Sequence, residues 1–130
     1  MMELYSFGYK DKLQSHFIER LKEIGIYAVL DTRFNPNCFN VFWKGKTLEN
    51  QLPLHGIEYY HEKNLGNSRC FEKGTIQIAN LEKGIESFKR IFHDEKVCLL
   101  CTCVNFETCH NKIIVENLEK IDNCKYIGRL

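Results

Sequence analysis

The sequence predicts a single-domain, three-layer α/β/α sandwich with a mostly parallel, Rossmann-like sheet of about five strands. Strand-length apolar runs alternate with helical periodicities along the whole chain, in the order β-α-β-α-β-α-β-α-β. The first strand, helix and second strand are joined by tight links, a βαβ unit with parallel strands and a right-handed crossover. Val97 to Cys101 is an unbroken apolar run, as suits a central strand covered on both faces.

Each element has its own signature. Leu4 to Phe7 reads as the first strand. Asp11 is the predicted N-cap of the first helix, with Gln14 in the capping-box position. Leu13, Phe17, Leu21 and Ile24 then recur at helical spacing, Ile18 widens the face, and Gly25 supplies the stop. Tyr27 to Leu30 is the second strand, ending at Asp31. Thr32 to Lys46 reads as irregular, with a turn at Asn35-Pro36-Asn37. Thr47 is the predicted cap of a short helix to His55, weakened in its second half by Pro53. Ile57 to Tyr60 is the third strand, and His61 to Gly74 a loop. A longer helix carries Ile78, Leu81, Ile85, Phe88 and Phe92 on one face, and Gly84 costs it about 1 kcal/mol. The last helix starts near Thr108 or Cys109, with Ile113, Ile114, Leu118 and Ile121 inward. Lys125 to Ile127 reads as a short edge strand.

Composition narrows the function classes. The chain is 44% hydrophobic and 27% charged, with formal net charge +1, so it reads as a soluble folded domain spanning 1–130. No basic tail or dense Lys/Arg block supports sequence-independent nucleic-acid binding, although a nucleotide or specific RNA remains compatible. The opening MMELYSFGYK has no charged segment leading into an apolar one, and no apolar stretch reaches the roughly 18 residues of a membrane helix. The seven cysteines are then expected as thiols in a reducing compartment, which predicts a cytoplasmic protein. Oligomeric state is left open.

In a doubly wound sheet, ligands bind where the strand order reverses, at the carboxyl ends of the strands. That rule brings Ser6 to Tyr9, Asp31 to Arg33 and Cys101 to His110 around one cleft. The same segments carry a family resemblance. Ser6-Phe7-Gly8-Tyr9, Asp31-Thr32-Arg33-x-x-Pro36, Leu48 to Leu52, Gly56-Ile57-x-Tyr59, Leu65-Gly66, Leu99-Leu100-Cys101 and Cys109-His110 follow one another in a characteristic order. Over roughly residues 4 to 118 the chain resembles the domain of unknown function 488 family. The resemblance implies a fold and a site but no reaction. Where that family has a glutamate two residues after the first cysteine, this chain has Cys103; where it has an arginine after Cys-His, this chain has Asn111. A carboxylate acid/base and an arginine anion clamp at those places are both missing here.

The candidate site residues each carry two readings. Cys101, closing a buried strand, is either a nucleophile activated beside helix N-terminal amides or a small buried apolar residue. His110 is its expected base across the loop, or packs the loop. Cys109 opens the helix as a ligand-binding group; neighbouring helical side chains diverge by about 100°, so it is not expected to face His110. Asp31 and Arg33 either grip an anion, Asp31 orienting the guanidinium or a ribose hydroxyl, or form an internal ion pair. Ser6, Gly8, Tyr9 and His61 are further candidates for the ligand cleft. Phe34, Phe39, Phe42 and Trp43 make one loop aromatic, as a lid, a stacking platform or a fold-back over the sheet. Cys98 is read as core.

The leading expectation is a small enzyme with a cysteine-centred site acting on a phosphorylated or nucleotide-like ligand, with no cofactor. One alternative is a non-catalytic module binding a nucleotide or nucleic acid. Another is a zinc protein using Cys101, Cys103, Cys109 and His110.

Overall fold

A computed structural model describes residues 1–130. Five strands form one sheet: β1 (Met2–Gly8), β2 (Ala28–Asp31), β3 (Glu58–His61), β4 (Lys96–Cys101) and β5 (Cys124–Arg129), in the order β3-β2-β4-β1-β5. Every pairing is parallel, so the mixed component allowed by the sequence is absent. The helices are α1 (Gln14–Ile24), α2 (Gly45–Gln51), α3 (Leu81–Ile91) and α4 (His110–Leu118). None is long and apolar enough to cross a membrane.

The chain first winds from β1 through β2 to β3 in one direction across the sheet, then returns through β4 to β5 in the other. Right-handed crossovers therefore put α1 and α2 on one face and α3 and α4 on the other. The two-residue period of the strands divides the core accordingly. Tyr5, Phe7, Val29, Cys98 and Leu100 pack with Phe17, Leu21, Trp43 and Leu48. Leu4, Ala28, Leu30, Val97 and Leu99 pack with Phe88, Phe92, Ile114 and Leu118. Cys98 is thus core, as expected.

Element boundaries move where local chemistry outweighs pattern. Asp11 does not cap α1: it adopts φ 61° in a tight turn, the N-cap is Leu13 without a side-chain bond, and Gln14 donates instead to the Phe42 carbonyl. Leu13 is 60% exposed rather than on the buried face. Gly25 ends the helix as expected, in a left-handed conformation at φ 83°. Thr47 does not cap α2; Lys44 does, and the Thr47 hydroxyl donates to the Val41 carbonyl at 2.6 Å. With Pro53 in its first turn, the stretch Leu52–His55 tightens to 3₁₀ geometry. Ile78 lies outside α3, bridged to Asn67, because Asn80 caps the helix. Gly84 has a positive reason to be glycine: a Cβ there would overlap the Leu65 side chain. In α4, Ile113 points outward, and β5 is longer than expected.

The aromatic loop divides. Trp43 is buried; it stacks on Phe7 and Tyr9 at 5.7 and 5.2 Å between ring centroids and meets Phe17 at a tilt at 5.4 Å. Phe39 and Phe42 remain exposed. Trp43 is therefore the anchor that folds this segment back onto the sheet.

A candidate cysteine-centred site

Strand register assembles the site. Gly8 lies opposite Cys101, Asp31 opposite Leu100 and His61, and Ser6 opposite Arg129. The three segments expected around one cleft do meet at the carboxyl ends of β1, β2 and β4. Gly8 is required by packing: a Cβ would fall on the Cys103 carbonyl oxygen, with Arg129 Nη2 only 2.5 Å away. The missing side chain lets the loop after β4 cross the end of β1.

Three sulfurs converge there. Those of Cys101, Cys103 and Cys109 all lie within 4.8 Å of one another. Cys109 Sγ donates to Cys101 Sγ at 3.2 Å, and both are buried, whereas Cys103 is half-buried. Arg129 stands over the cluster. Its Nη2 is 3.6 Å from Cys101 Sγ and also donates to the Cys103 carbonyl, while Nη1 donates to Ser6 Oγ at 3.0 Å. Ser6 is in turn 2.7 Å from the Tyr126 hydroxyl. The guanidinium lies over Phe106, which stacks on Tyr126.

The surroundings favour the thiolate of Cys103 over those of its neighbours. The adjacent Cys101 and Cys109 thiols hold the Cys103 thiol well below the ordinary range, and the Arg129 charge adds to them. Those two neighbours move the other way, Cys101 because Cys103 lies beside it and Cys109 because Cys101 and Cys103 do.

Cys109 and His110 come together, contrary to expectation. Cys109 is the N-cap, with extended φ −95° and ψ 148°, so the angular separation of helical neighbours does not apply to it. Its sulfur accepts the Asn111 backbone N–H at 3.5 Å and is 3.8 Å from His110 Nδ1. His110 Nε2 donates to the Thr32 carbonyl at 2.9 Å, so in the neutral imidazole Nδ1 carries the lone pair. His110 therefore faces Cys109 and not Cys101.

Beside the sulfurs, Asp31 holds Arg33 in a two-pronged pair, Nε to Oδ1 at 2.8 Å and Nη2 to Oδ2 at 2.6 Å. Tyr59 donates to the same carboxylate at 2.6 Å. Both Asp31 and Arg33 are buried. Burial opposes the Arg33 charge, but the bonds and charge of Asp31 outweigh it and fix the guanidinium as a cation. Burial, then the Asp31 charge, pushes the Tyr59 hydroxyl far up. Arg33 also stacks over the Tyr9 ring at 5.1 Å, and His61 Nε2 bonds to the Arg33 carbonyl at 2.8 Å. Asn111 occupies the floor, its side-chain oxygen 2.6 Å from Thr32 Oγ1.

A cleft of about 560 Å³ opens over these groups. Lys10, Arg33 and Lys73 bring positive charge to its wall, and no acidic residue lines it. Asn35, Asn67 and Thr102 add hydrogen-bonding groups, Phe34 and Val104 apolar surface, and Cys103 and His110 the chemistry. Its size is that of a small-ligand site. His61 opens instead onto an adjoining depression that shares Phe34, Asn35 and Cys70 with the cleft.

Of the residues singled out in the sequence, Ser6, Gly8, Cys101, Cys109 and His110 surround the sulfurs, and Tyr9, Asp31, Arg33 and His61 form the flanking network. Cys101 is wholly buried; Cys103, read from sequence only as a zinc ligand, is the member of the cluster on the cleft wall, which it shares with the exposed Cys70. Arg129 is not legible in the sequence: the expected strand ends at Ile127, and a shift in the β1–β5 register after Leu4 is what brings Arg129, not Gly128, opposite Ser6.

The three sulfurs are a soft donor set that could hold a metal ion. His110 approaches this set only through Cys109.

The profile of a family described as Domain of unknown function DUF488 matches residues 14–118. No curated protein and no solved structure matches the chain.

Proposed function

The chain belongs to the DUF488 family, a domain of unknown function, and we propose that it is an enzyme in which a cysteine thiolate attacks a small anionic, phosphorylated or nucleotide-like ligand. One observation carries this reading: a three-sulfur cluster under Arg129 presents a single half-buried thiol, Cys103, to a cleft whose charged wall is entirely basic.

In this mechanism Lys10 and Lys73 draw in the anion. The Cys103 thiolate attacks the phosphorus of a bound phosphate ester; the S–P bond forms as the P–O bond to the alcohol breaks, the departing alkoxide takes a proton from water, and the adjacent Cys101 and Cys109 thiols favour the thiolate. His110 Nδ1 activates water against the covalent intermediate. Asp31 acts at one remove, by orienting Arg33 and Tyr59 along the cleft wall. A net charge of +1 favours a small ligand over a nucleic acid.

A second reading follows from the sulfur positions themselves. Three thiolates within 4.8 Å suit zinc, and Arg129 offsets part of their charge.

Alkylation separates the two. With iodoacetamide at pH 6, one thiol of the purified protein should react faster than free cysteine. That phase should vanish in Cys103→Ser and slow in millimolar adenosine monophosphate. Absence of a fast thiol overturns the catalytic reading; protection without one leaves a nucleotide-binding module. One zinc per chain in a native mass spectrum, with alkylation appearing only after chelation, establishes the metal reading instead.

A further inference from the structure

We propose that Cys103 and Cys109 form a dithiol–disulfide pair through which the protein reduces hydroperoxides, Cys103 taking the oxygen and Cys109 resolving it. The proposal rests on the free-thiol reading of the site and adds a reaction to it.

Placement distinguishes the three cysteines. Of the three clustered sulfurs only that of Cys103 belongs to a residue lining the cleft, so an oxidant in the cleft meets it before Cys101 or Cys109. Cys101 and Cys109 are shielded, and their sulfurs lie within 4.8 Å of Cys103 Sγ. A disulfide needs the sulfurs to close to about 2.05 Å, a gap that side-chain rotation and a small loop movement cover. Cys103 sits on the loop after β4, with only a 3₁₀ turn, Phe106–Thr108, between it and Cys109.

Cys109 is the one equipped to resolve. The His110 Nδ1 lone pair lies 3.8 Å from its sulfur to accept the proton, and the Asn111 N–H at 3.5 Å stabilises the thiolate that results. Cys101 has no base beside it. Cys101 also lies within 4.8 Å of Cys103, but its other neighbours, the Cys109 thiol and the Arg129 guanidinium, offer no basic nitrogen.

The steps balance. The Cys103 sulfur attacks the distal peroxide oxygen, the O–O bond breaks, and the leaving alkoxide or hydroxide takes a proton from water. Cys103 is now a sulfenic acid, oxidised by two electrons, and the peroxide is reduced to an alcohol or water. Cys109 passes its proton to His110 and attacks the Cys103 sulfur. The S–S bond forms, the S–O bond breaks, and hydroxide leaves as water with the proton from His110. An external dithiol then returns two electrons and two protons to the pair.

The test uses the purified full chain, freed of reductant and given one equivalent of hydrogen peroxide. The intact mass should fall by two hydrogens, and peptide mapping should place the bridge between Cys103 and Cys109. Dithiothreitol in excess should sustain repeated peroxide consumption. Cys109→Ser should stop at a sulfenic acid on Cys103 that dimedone captures near-stoichiometrically, whereas Cys101→Ser should still bridge. Cys109→Ala serves if the serine variant does not fold. A bridge that includes Cys101, or a mass gain of oxygen without a bridge in the wild type, overturns the proposal. Fast alkylation of Cys103 with no response to peroxide overturns it while leaving the nucleophile reading intact; loss of fast alkylation removes both.

Discussion

Asp31 shows how far one carboxylate organises its surroundings. It is fully buried, yet it carries a two-pronged arginine and a tyrosine hydroxyl. Removing its charge strands the Arg33 guanidinium in the interior. Asp31→Asn should therefore cost about 3–5 kcal/mol, read as a lower urea midpoint, because a buried charge without its partner costs more than the pair contributes. Replacing Arg33 by methionine in the same chain should recover most of the loss; failure to do so would place the cost elsewhere. The pair itself is legible in the sequence, two residues apart at a strand end. Its third member, Tyr59, is not, because the contact runs between neighbouring strands and depends on the β2–β3 register. Arg129 is hidden for the same reason, since it reaches Ser6 only through the pairing of β1 with β5.

At the scale of elements, strand alternation and helix stops are readable, and helix starts are not. The two-sided core follows directly from alternation in β1, β2 and β4. The start of α1 does not follow the capping-box pattern, because Asp11 turns left-handed and leaves Leu13 at the cap. That leaves a vacant cap position occupied by an exposed leucine. Leu13→Ser should accept a backbone N–H of the first turn and stabilise the protein by about 1 kcal/mol, a rise of a few degrees in Tm. A lower Tm would mean that Leu13 packs more usefully than its exposure indicates. The aromatic loop is legible only as a cluster; which ring is the anchor depends on the stacked pair Phe7 and Phe17, against which Trp43 packs.

For the molecule as a whole, the thiolate couples the site to stability. Cys103 is held below the ordinary thiol value of about 8.5 only in the folded chain. Below that value the unfolded chain binds the extra proton, so stability rises with pH. The contribution is complete above the ordinary thiol value and is lost as pH falls through the folded one. The difference in urea stability between wild type and Cys103→Ser should thus widen from pH 5 to pH 8. A difference independent of pH would mean that Cys103 is a neutral thiol when folded. The family match, residues 14–118, does not extend over β1 or β5, the strands that supply Gly8 and Arg129. The matched span holds Asp31, Arg33, Tyr59 and the cysteine–histidine segment, while Arg129 lies beyond it.

The strand order has a consequence in time. β1 begins the sheet in sequence, yet its neighbours are β4 and β5, with Glu3 beside Lys96 and Met2 beside Cys124. Pairings between such distant segments close slowly, because loop entropy is lost before any contact compensates it. The apolar run around Leu4, Tyr5 and Phe7 must therefore stay unpaired until nearly the whole chain is available, the interval in which such segments are most exposed to aggregation. The thiols share one segment of chain, but their cation reaches them only through the pairing of β5 with β1, so the reactive site is complete only when that most distant pairing has closed.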